Sequence, residues 1–414
     1  MSAASVSEDP GARGIPDVRE LRDRTRAFIR EVVLPAEPAP GAPLTDEVRD
    51  ELRAQARDAG LFAPHAPVAY GGLGLPLDAW SPVFQEAGYS PIGPAVLNIM
   101  APDEGNMHLL HVVGTPAQRE RYLAPLVRGD VRSSFAMTEP HPGAGSDPRA
   151  LSTTAERVDG GWRLTGRKRF ISGANGAAFA IVMARTPAAD DAPEGATMLL
   201  VPLDAAGVTI GPDVQTIEGA IAGGHPYVNF DGCFVPDDDV LGEAGLGFRY
   251  AQVRLGPARL THCMRWLGLA RRAHDTALDR ANARELFGAR LRDLGVAQAL
   301  LADSVIDLET SDAIIDKTAR VLVADPRAGE ALSSVAKVHC SEAVFRVIDR
   351  AVQLCGGDGV TDALPLIQYL NEVRPFRIYD GSSETHRWAI ARRAASTRSR
   401  EVEAGAARLD EVAP

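Results

Sequence analysis

Along the chain the spacing of hydrophobic and polar positions changes period twice, and these changes divide it into three parts. In VRELRDRTRAFIREVV, from Val18 to Val33, Leu21, Phe28 and Val32 can share one apolar stripe of a helix, which Pro35 stops. DEVRDELRAQARDAGL and the stretch around NMHLLHVVG continue the helical spacing, with Pro- and Gly-rich punctuation at Pro35–Pro43 and Tyr70–Pro76 between segments. From about Phe135 the runs WRLTG, AFAIVMA, TMLLVPL and YVNFDGCFV are short, rich in β-branched and aromatic residues, and divided by Gly, Asp and Pro, which predicts a small β domain. From about Leu246 the helical period returns. There Val344, Val347, Ala351 and Leu354 form one face of a helix that ends at Gly356 and Gly357.

The order helical, β, helical, without βαβ alternation, predicts an α+β chain and disfavours a doubly wound dinucleotide fold. The divisions fall at a polar leader 1–16, an N-terminal helical domain 17–134, a middle β domain 135–245, a C-terminal helical bundle 246–394 and a tail 395–414. A length of 414 residues is itself too much for one ordinary core. No internal repeat of fixed period is present.

A formal net charge of −11 and the lack of any long Lys/Arg block argue against a nucleic-acid partner. Cys233, Cys263, Cys340 and Cys355 are scattered without a CxxC pair, so neither a zinc site nor a disulfide framework is expected. No signal peptide and no apolar run of membrane-spanning length is legible, which predicts a soluble cytoplasmic protein without a membrane span. His108, His111 and His262 lack ligand spacing and read as packing residues, so no metal is expected. The acidic run Asp237 to Asp239 reads as a solvated turn, and Trp266 as helix packing.

Four segments carry candidate chemistry. TEPHPGAGSD, Thr138 to Asp147, is a Gly- and hydroxyl-bearing loop able to bind anionic or carbonyl groups, or a plain connection. GRKRFISGA, Gly166 to Ala174, alternates like a strand and puts Lys168, Phe170 and Ser172 on one face, where an aromatic ring beside a hydroxyl suits a flat heterocycle. In QLCGGDGV, Gln353 to Val360, glycines at a helix end allow close backbone approach to a ligand, or simply cap the helix. RIYDGSSETHR, from Arg377, sets Asp380 beside Gly381 and two serines.

In that order and at those separations the four segments resemble the acyl-CoA dehydrogenase family, whose members show TEPxAGSD, a KxWITNG-like strand, QxxGGxG and YEGTSxxxR. GTPAQRERYLAPLVRGD before the first segment and RELFG at Arg284 to Gly288 extend the likeness from about Val18 to Arg393. It implies a helical N-terminal domain, a middle β-barrel-like domain and a C-terminal four-helix bundle, with FAD between them. Phe135, Met137 and Thr138 would line one side of the flavin, Gly145 would bind the cofactor, Ser146 would lie near its phosphate and also meet the substrate, and Phe170 and Ser172 would stand against the ring. Arg284 and Phe287 match positions that reach the FAD of a neighbouring subunit, and Gln353 and Gly357 match positions that hold its adenosine portion. Ser382 and Glu384 complete the cofactor set, while Arg259, Tyr379 and Gly381 join Ser146 on the substrate. A homodimer or homotetramer is thereby implied, acting on an acyl-CoA, with an electron-transfer flavoprotein as acceptor.

The family chemistry needs a base for the α-proton and a sink for the β-hydride, the flavin N5, leaving a trans-2-enoyl thioester. Asp380 occupies the place of the family's usual Glu, and an apolar acyl pocket is expected to raise its pKa toward the working pH. The alternate base position of some members falls on Ala258, which leaves Asp380 as the matched candidate. Asp is one methylene shorter than Glu, and TEPHPGAGSD is two residues longer than TEPxAGSD. APDEGNMHLLH, RLTHCMRWLGLA and the Asp of YDGSS look like the subgroup of acyl-CoA dehydrogenase family members ten and eleven, dehydrogenase module only. Three alternatives stay open: a flavin monooxygenase on the same fold, a dehydrogenase of carrier-protein-bound acyl groups, and a non-catalytic scaffold.

Overall fold

The computed structural model describes residues 16–39, 42–187, 195–219 and 223–403. The N-terminal part is helical: α1 (Val18–Phe28), α2 (Asp46–Asp58), α3 (Trp80–Gly88), the single turn α4 (Gly93–Val96), α5 (Asp103–Val113), α6 (Pro116–Gln118) and α7 (Ala124–Arg128). The stripe of the first helix departs from its expected register. Residues Ile29–Val33 form a π-helical turn, so Ile29 and Val33 are fully buried while Val32 is only half-buried.

Strands β1 (Ser133–Ala136), β2 (Thr154–Val158), β3 (Gly161–Lys168), β4 (Phe179–Thr186), β5 (Gly195–Pro202), β6 (Val208–Asp213) and β7 (Pro226–Pro236) make one seven-stranded sheet. Its order is β1-β4-β2-β3-β7-β6, with β5 on the other side of β4. β4, buried at all but one position, pairs with the similarly buried β5 from Phe179↔Pro202 to Thr186↔Gly195 and holds β1 in parallel through Phe135↔Ile181. The sheet therefore carries the end of β1, and with it Phe135 and Met137, against the helices.

The C-terminal part packs α8 (Gly247–Ala283), α9 (Gly295–Ala324) and α10 (Pro326–Cys355) side by side, followed by α11 (Leu366–Val373) and α12 (Ser383–Glu403). Between α8 and α9 lies a two-stranded hairpin, β8 (Glu285–Leu286) and β9 (Ala289–Arg290). Val344, Val347, Ala351 and Leu354 are all buried, and Gly356 takes a positive φ at the end of α10, as their spacing implies. α3 crosses α8 at glycines. A Cβ on Gly88 would stand 2.1 Å from the Arg265 carbonyl oxygen, and one on Gly268 would stand 2.1 Å from that of Gln85. That backbone contact sets the rotation of α8 and so decides which of its residues face inward.

Candidate active site

Asp380 lies in the turn between α11 and α12, with φ +54°, a left-handed geometry that a non-glycine residue adopts only when its surroundings enforce it. The enforcement is visible. The Asp380 carbonyl accepts from Arg259 Nε and from His386 Nε2, each at 3.0 Å, and the Gly381 carbonyl accepts from Lys337 Nζ at 2.6 Å. Gly381 also has φ +95°, and a Cβ there would stand 2.7 Å from His386 Nε2. Helices α8, α10 and α12 therefore clamp the YDG turn by its backbone and leave the Asp380 side chain to be aimed separately.

The carboxylate points at the face of α8 that carries Arg254, Ala258, His262 and Arg265, spaced by one turn each. His262 Nε2 stands 3.2 Å from Asp380 Oδ2. Arg265 Nη2 donates to His262 Nδ1 at 2.8 Å, and its Nη1 donates to the Ile99 carbonyl at 2.5 Å and lies 3.5 Å from Glu104 Oε1. Arg254 donates to Asn106 Oδ1 at 2.8 Å and lays its guanidinium 4.1 Å from the centre of the Phe135 ring. Asp380 thus stands in one electrostatic neighbourhood with Phe135, although the two are far apart in sequence.

That neighbourhood overturns the expected raised pKa. Burial pushes the Asp380 carboxyl up, but the His262 contact and the Arg254 and Arg259 guanidinium groups outweigh it and hold the group well below the usual carboxylate range. His262 itself is held low by burial and by Arg265, so it faces Asp380 as a neutral imidazole. The reading of His262 as a packing residue is likewise corrected. Its ring does pack on Phe376 and Tyr379, but its polar edge meets the carboxylate. Spacing on α8 from Arg259 to His262 was the available signal; the partner, 118 positions on, was not in it.

The other candidate residues fall into three groups. Around Asp380, Tyr379 accepts a hydrogen bond from Trp266 Nε1 at 2.6 Å, which gives that tryptophan a polar role besides packing. Ser382 Oγ caps α12 by accepting from Thr385 N at 3.2 Å, and Glu384 is exposed in its first turn.

The second group lies at the sheet. β3 ends at Lys168, so the expected strand from Gly166 to Ala174 stops midway: Phe170 has φ +58°, and Ser172 is in a turn. Lys168 does not share a ligand face with them. Its ammonium is fully buried, 2.9 Å from Glu139 Oε1 and 3.2 Å from the Met137 carbonyl. Glu139 also accepts from the amides of Ala144, Ser152 and Thr153, which holds the middle of TEPHPGAGSD and the start of the chain toward β2 to one carboxylate, while Gly145 and Ser146 are exposed. The Thr138 carbonyl accepts from Arg169 N at 2.9 Å, joining this loop to the Phe170 turn. Ser172 Oγ donates to His225 Nδ1 at 2.8 Å, and His225 Nε2 donates to Glu218 at 2.7 Å, a relay the sequence reading missed.

The third group is remote. Arg284 lies 25 residues after Arg259 in the chain, about 37 Å along the helix axis at ~1.5 Å per residue. Phe287, at the tip of the β8–β9 hairpin, is 92% exposed with φ +52°. Gln353 and Gly357, both exposed, sit near that end too, since Arg280 on the last turn of α8 pairs with Asp358 at 2.9 Å. In the acidic run, Asp239 is buried and not solvated, accepting from Tyr122 Oη at 2.8 Å.

A flat aromatic cofactor fits these residues. Phe170 offers an exposed ring at a forced backbone turn, and Gly145 has no atom within 4 Å of where a Cβ would stand, leaving open backbone for a bulky polar group.

Comparison with known proteins gives the same answer along most of the described chain. Family models match in order: the acyl-CoA dehydrogenase N-terminal domain over residues 16–130, the middle domain over 134–233 and the C-terminal domain over 245–395. The chain is 38% identical over 317 residues to acyl-CoA dehydrogenase FadE2 of Mycobacterium tuberculosis, covering 76% of this chain and 78% of that one. It is 35% identical over 316 residues to acyl-CoA dehydrogenase family member 11 of Gallus gallus, covering 75% of this chain but only 40% of that relative. An acyl-CoA dehydrogenase structure from Mycobacterium abscessus superposes with a TM-score of 0.85 at 33% identity, over 94% of this chain and all of that one.

Proposed function

The chain belongs to the acyl-CoA dehydrogenase family, and from that premise we propose that it desaturates an acyl-CoA thioester between Cα and Cβ with Asp380 as the base. FAD is the family's cofactor, and when bound it supplies the acceptor for the β-hydride. The observation that carries the proposal is the clamped turn: three helices fix the Asp380 backbone, and among the described residues its Oδ1 makes no hydrogen bond. The carboxylate is ionised in the resting protein, so it is already in the form that takes a proton.

In the reaction the Cα–H bond breaks and its proton passes to Asp380 Oδ1, the hydride leaves Cβ, and the trans-2-enoyl thioester forms. The low proton affinity of Asp380 in the open site is lifted as the acyl chain displaces water from around it, because a drier site disfavours the charged form. Arg259 keeps the carbonyl of the turn in place during this change. His262 is fixed as a donor toward the carboxylate and has no free lone pair with which to draw the proton away.

Supporting this reading, Ala258 stands at the alternate base position and offers no acid–base group. An electron-transfer flavoprotein is the acceptor we expect to reoxidise the protein. A homo-oligomer fits the remote Arg284 and Phe287, and a cytoplasmic setting fits four free, buried cysteines. Among the described residues no helix is long and apolar enough to cross a membrane.

The test is anaerobic titration of the FAD-loaded protein with acyl-CoAs of short, long and branched chains, following the loss of oxidised-flavin absorbance. Bleaching with at least one thioester is expected in the wild type, and Asp380→Asn should slow it by about 10²-fold or more. Normal bleaching in Asp380→Asn would remove Asp380 from the role, and no bleaching with any thioester would favour the oxygenase or scaffold alternatives.

A further inference from the structure

We infer that His262 is a positioning residue for the base: locked by Arg265 as its Nε2–H tautomer, it holds Asp380 Oδ2 against α8, so that Oδ1 alone faces the reacting carbon. The inference rests on Asp380 as the base.

The geometry leaves little freedom. Arg265 has no lone pair, so its 2.8 Å hydrogen bond makes Nδ1 the acceptor and places the proton of a neutral ring on Nε2. Arg265 is anchored in turn by the Ile99 carbonyl and by Glu104, whose Oε1 also accepts from Thr261 Oγ1 at 2.8 Å. Residues from α5 and α8 therefore set the His262 ring, and the rings of Phe376 and Tyr379 hold its plane at centroid distances of 5.8 and 4.8 Å. Without this donor an aspartate, one methylene shorter than glutamate, has only two side-chain torsions to aim it. Among the described residues no other hydrogen bond reaches either carboxyl oxygen: Arg259 and His386 hold the Asp380 carbonyl, and Lys337 that of Gly381.

The charged and titratable groups that face Asp380 are Arg254, Arg259 and His262 from α8, Lys337 from α10 and His386 from α12, with Tyr379 beside it in the turn. Arg265 and Glu104 face His262 from behind. Because the Nε2–H edge of His262 faces the ionised form at 3.2 Å, removing it raises the proton affinity of Asp380 while freeing its orientation. Those two effects have opposite consequences for a base, which makes them separable. A base that only gained affinity would work faster, whereas a base that lost its aim works more slowly in spite of that gain.

The experiment is stopped-flow flavin reduction by a saturating acyl-CoA, as a function of pH, in wild type, His262→Ala and His262→Gln. A glutamine amide can put an N–H close to the place of the imidazole Nε2. His262→Ala should lower the limiting rate by about tenfold or more and move its acidic limb up by about one pH unit, with substrate affinity changed by less than about threefold. His262→Gln should regain most of the rate. Wild-type rate and limb in His262→Ala, or a glutamine variant no better than alanine when both bind FAD, would overturn the inference.

A readout independent of turnover is titration of carboxyl-¹³C-labelled aspartates by NMR, the Asp380 signal being assigned by its loss in Asp380→Asn. Its midpoint should rise in His262→Gln less than in His262→Ala, and an unchanged midpoint in both would refute the contact. If the midpoint shifts but no thioester bleaches the wild-type flavin, it is the dehydrogenase reading that fails while the His262 contact stands.

Discussion

Glu139 and Lys168 illustrate how much of this protein depends on single side chains meeting across the chain. Both side chains are fully buried 2.9 Å apart, and Glu139 accepts three backbone amides besides, so removing its charge leaves a buried ammonium without its counter-charge. Glu139→Gln should cost about 3–5 kcal/mol in chemical denaturation, against less than about 1 kcal/mol for an exposed pair such as Arg128 with Asp130. Burial raises the Glu139 carboxyl, but Lys168 and the surrounding donors outweigh it and hold the group below the carboxylate range. A depressed carboxyl contributes stability that is fully present above its unfolded-state pKa and is lost as pH falls toward the folded-state value. Wild type should therefore lose stability below about pH 4 more steeply than Glu139→Gln does, and equal slopes would contradict this role. Motif spacing marks Glu139 only as part of a loop, because Lys168, its partner, arrives from another strand.

At the scale of elements, what was legible was periodicity, and what was not was where periodicity is interrupted by a tertiary contact. The strands at Trp162, Phe179, Thr197 and Tyr227 and the long C-terminal helices fall where alternation and helical spacing put them. The break at Phe170 and the π-turn at Ile29 do not show in the pattern, since each answers to a neighbour: the Arg169 amide reaches the Thr138 carbonyl, and Ile29 is fully buried. The motif singles out Asp380 as the candidate base, but its electrostatics depend on Arg254, Arg259 and His262, which only the packing of α8 supplies. The α3–α8 crossing fixes that packing. Gly268→Ala would drive a methyl to 2.1 Å from the Gln85 carbonyl oxygen, where only backbone can yield, so the helices must part. A loss of about 1–3 kcal/mol or more is expected, read as a lower thermal midpoint, with slower flavin reduction because Arg265 and His262 move with α8. Wild-type stability in that variant would mean that the crossing is softer than its geometry.

For the molecule as a whole, the two ends of α8 serve different neighbourhoods, and this bears on how many chains build one site. Arg259 near its middle grips the YDG turn, whereas Arg284 just past its end lies about 37 Å further along the axis, near an exposed Phe287 and the exposed end of α10 at Gln353 and Gly357. A large apolar side chain that is 92% exposed at a hairpin tip gains nothing in an isolated chain, and in a symmetric oligomer it gains a partner surface. If Arg284 and Phe287 reach the FAD of a second copy, a defect there and a defect at Asp380 lie in different chains of the same site. Arg284→Ala/Phe287→Ala and Asp380→Asn proteins should each be slow alone, the first with weakened FAD retention. Mixed oligomers formed from equal amounts should then recover roughly a quarter of wild-type flavin reduction, because half of random dimers are mixed and each holds one site with both residues intact. Recovery requires that the two residues come from different chains; if one chain supplied both, every site in the mixture would keep one defect and the mixed sample would be as slow as its parents.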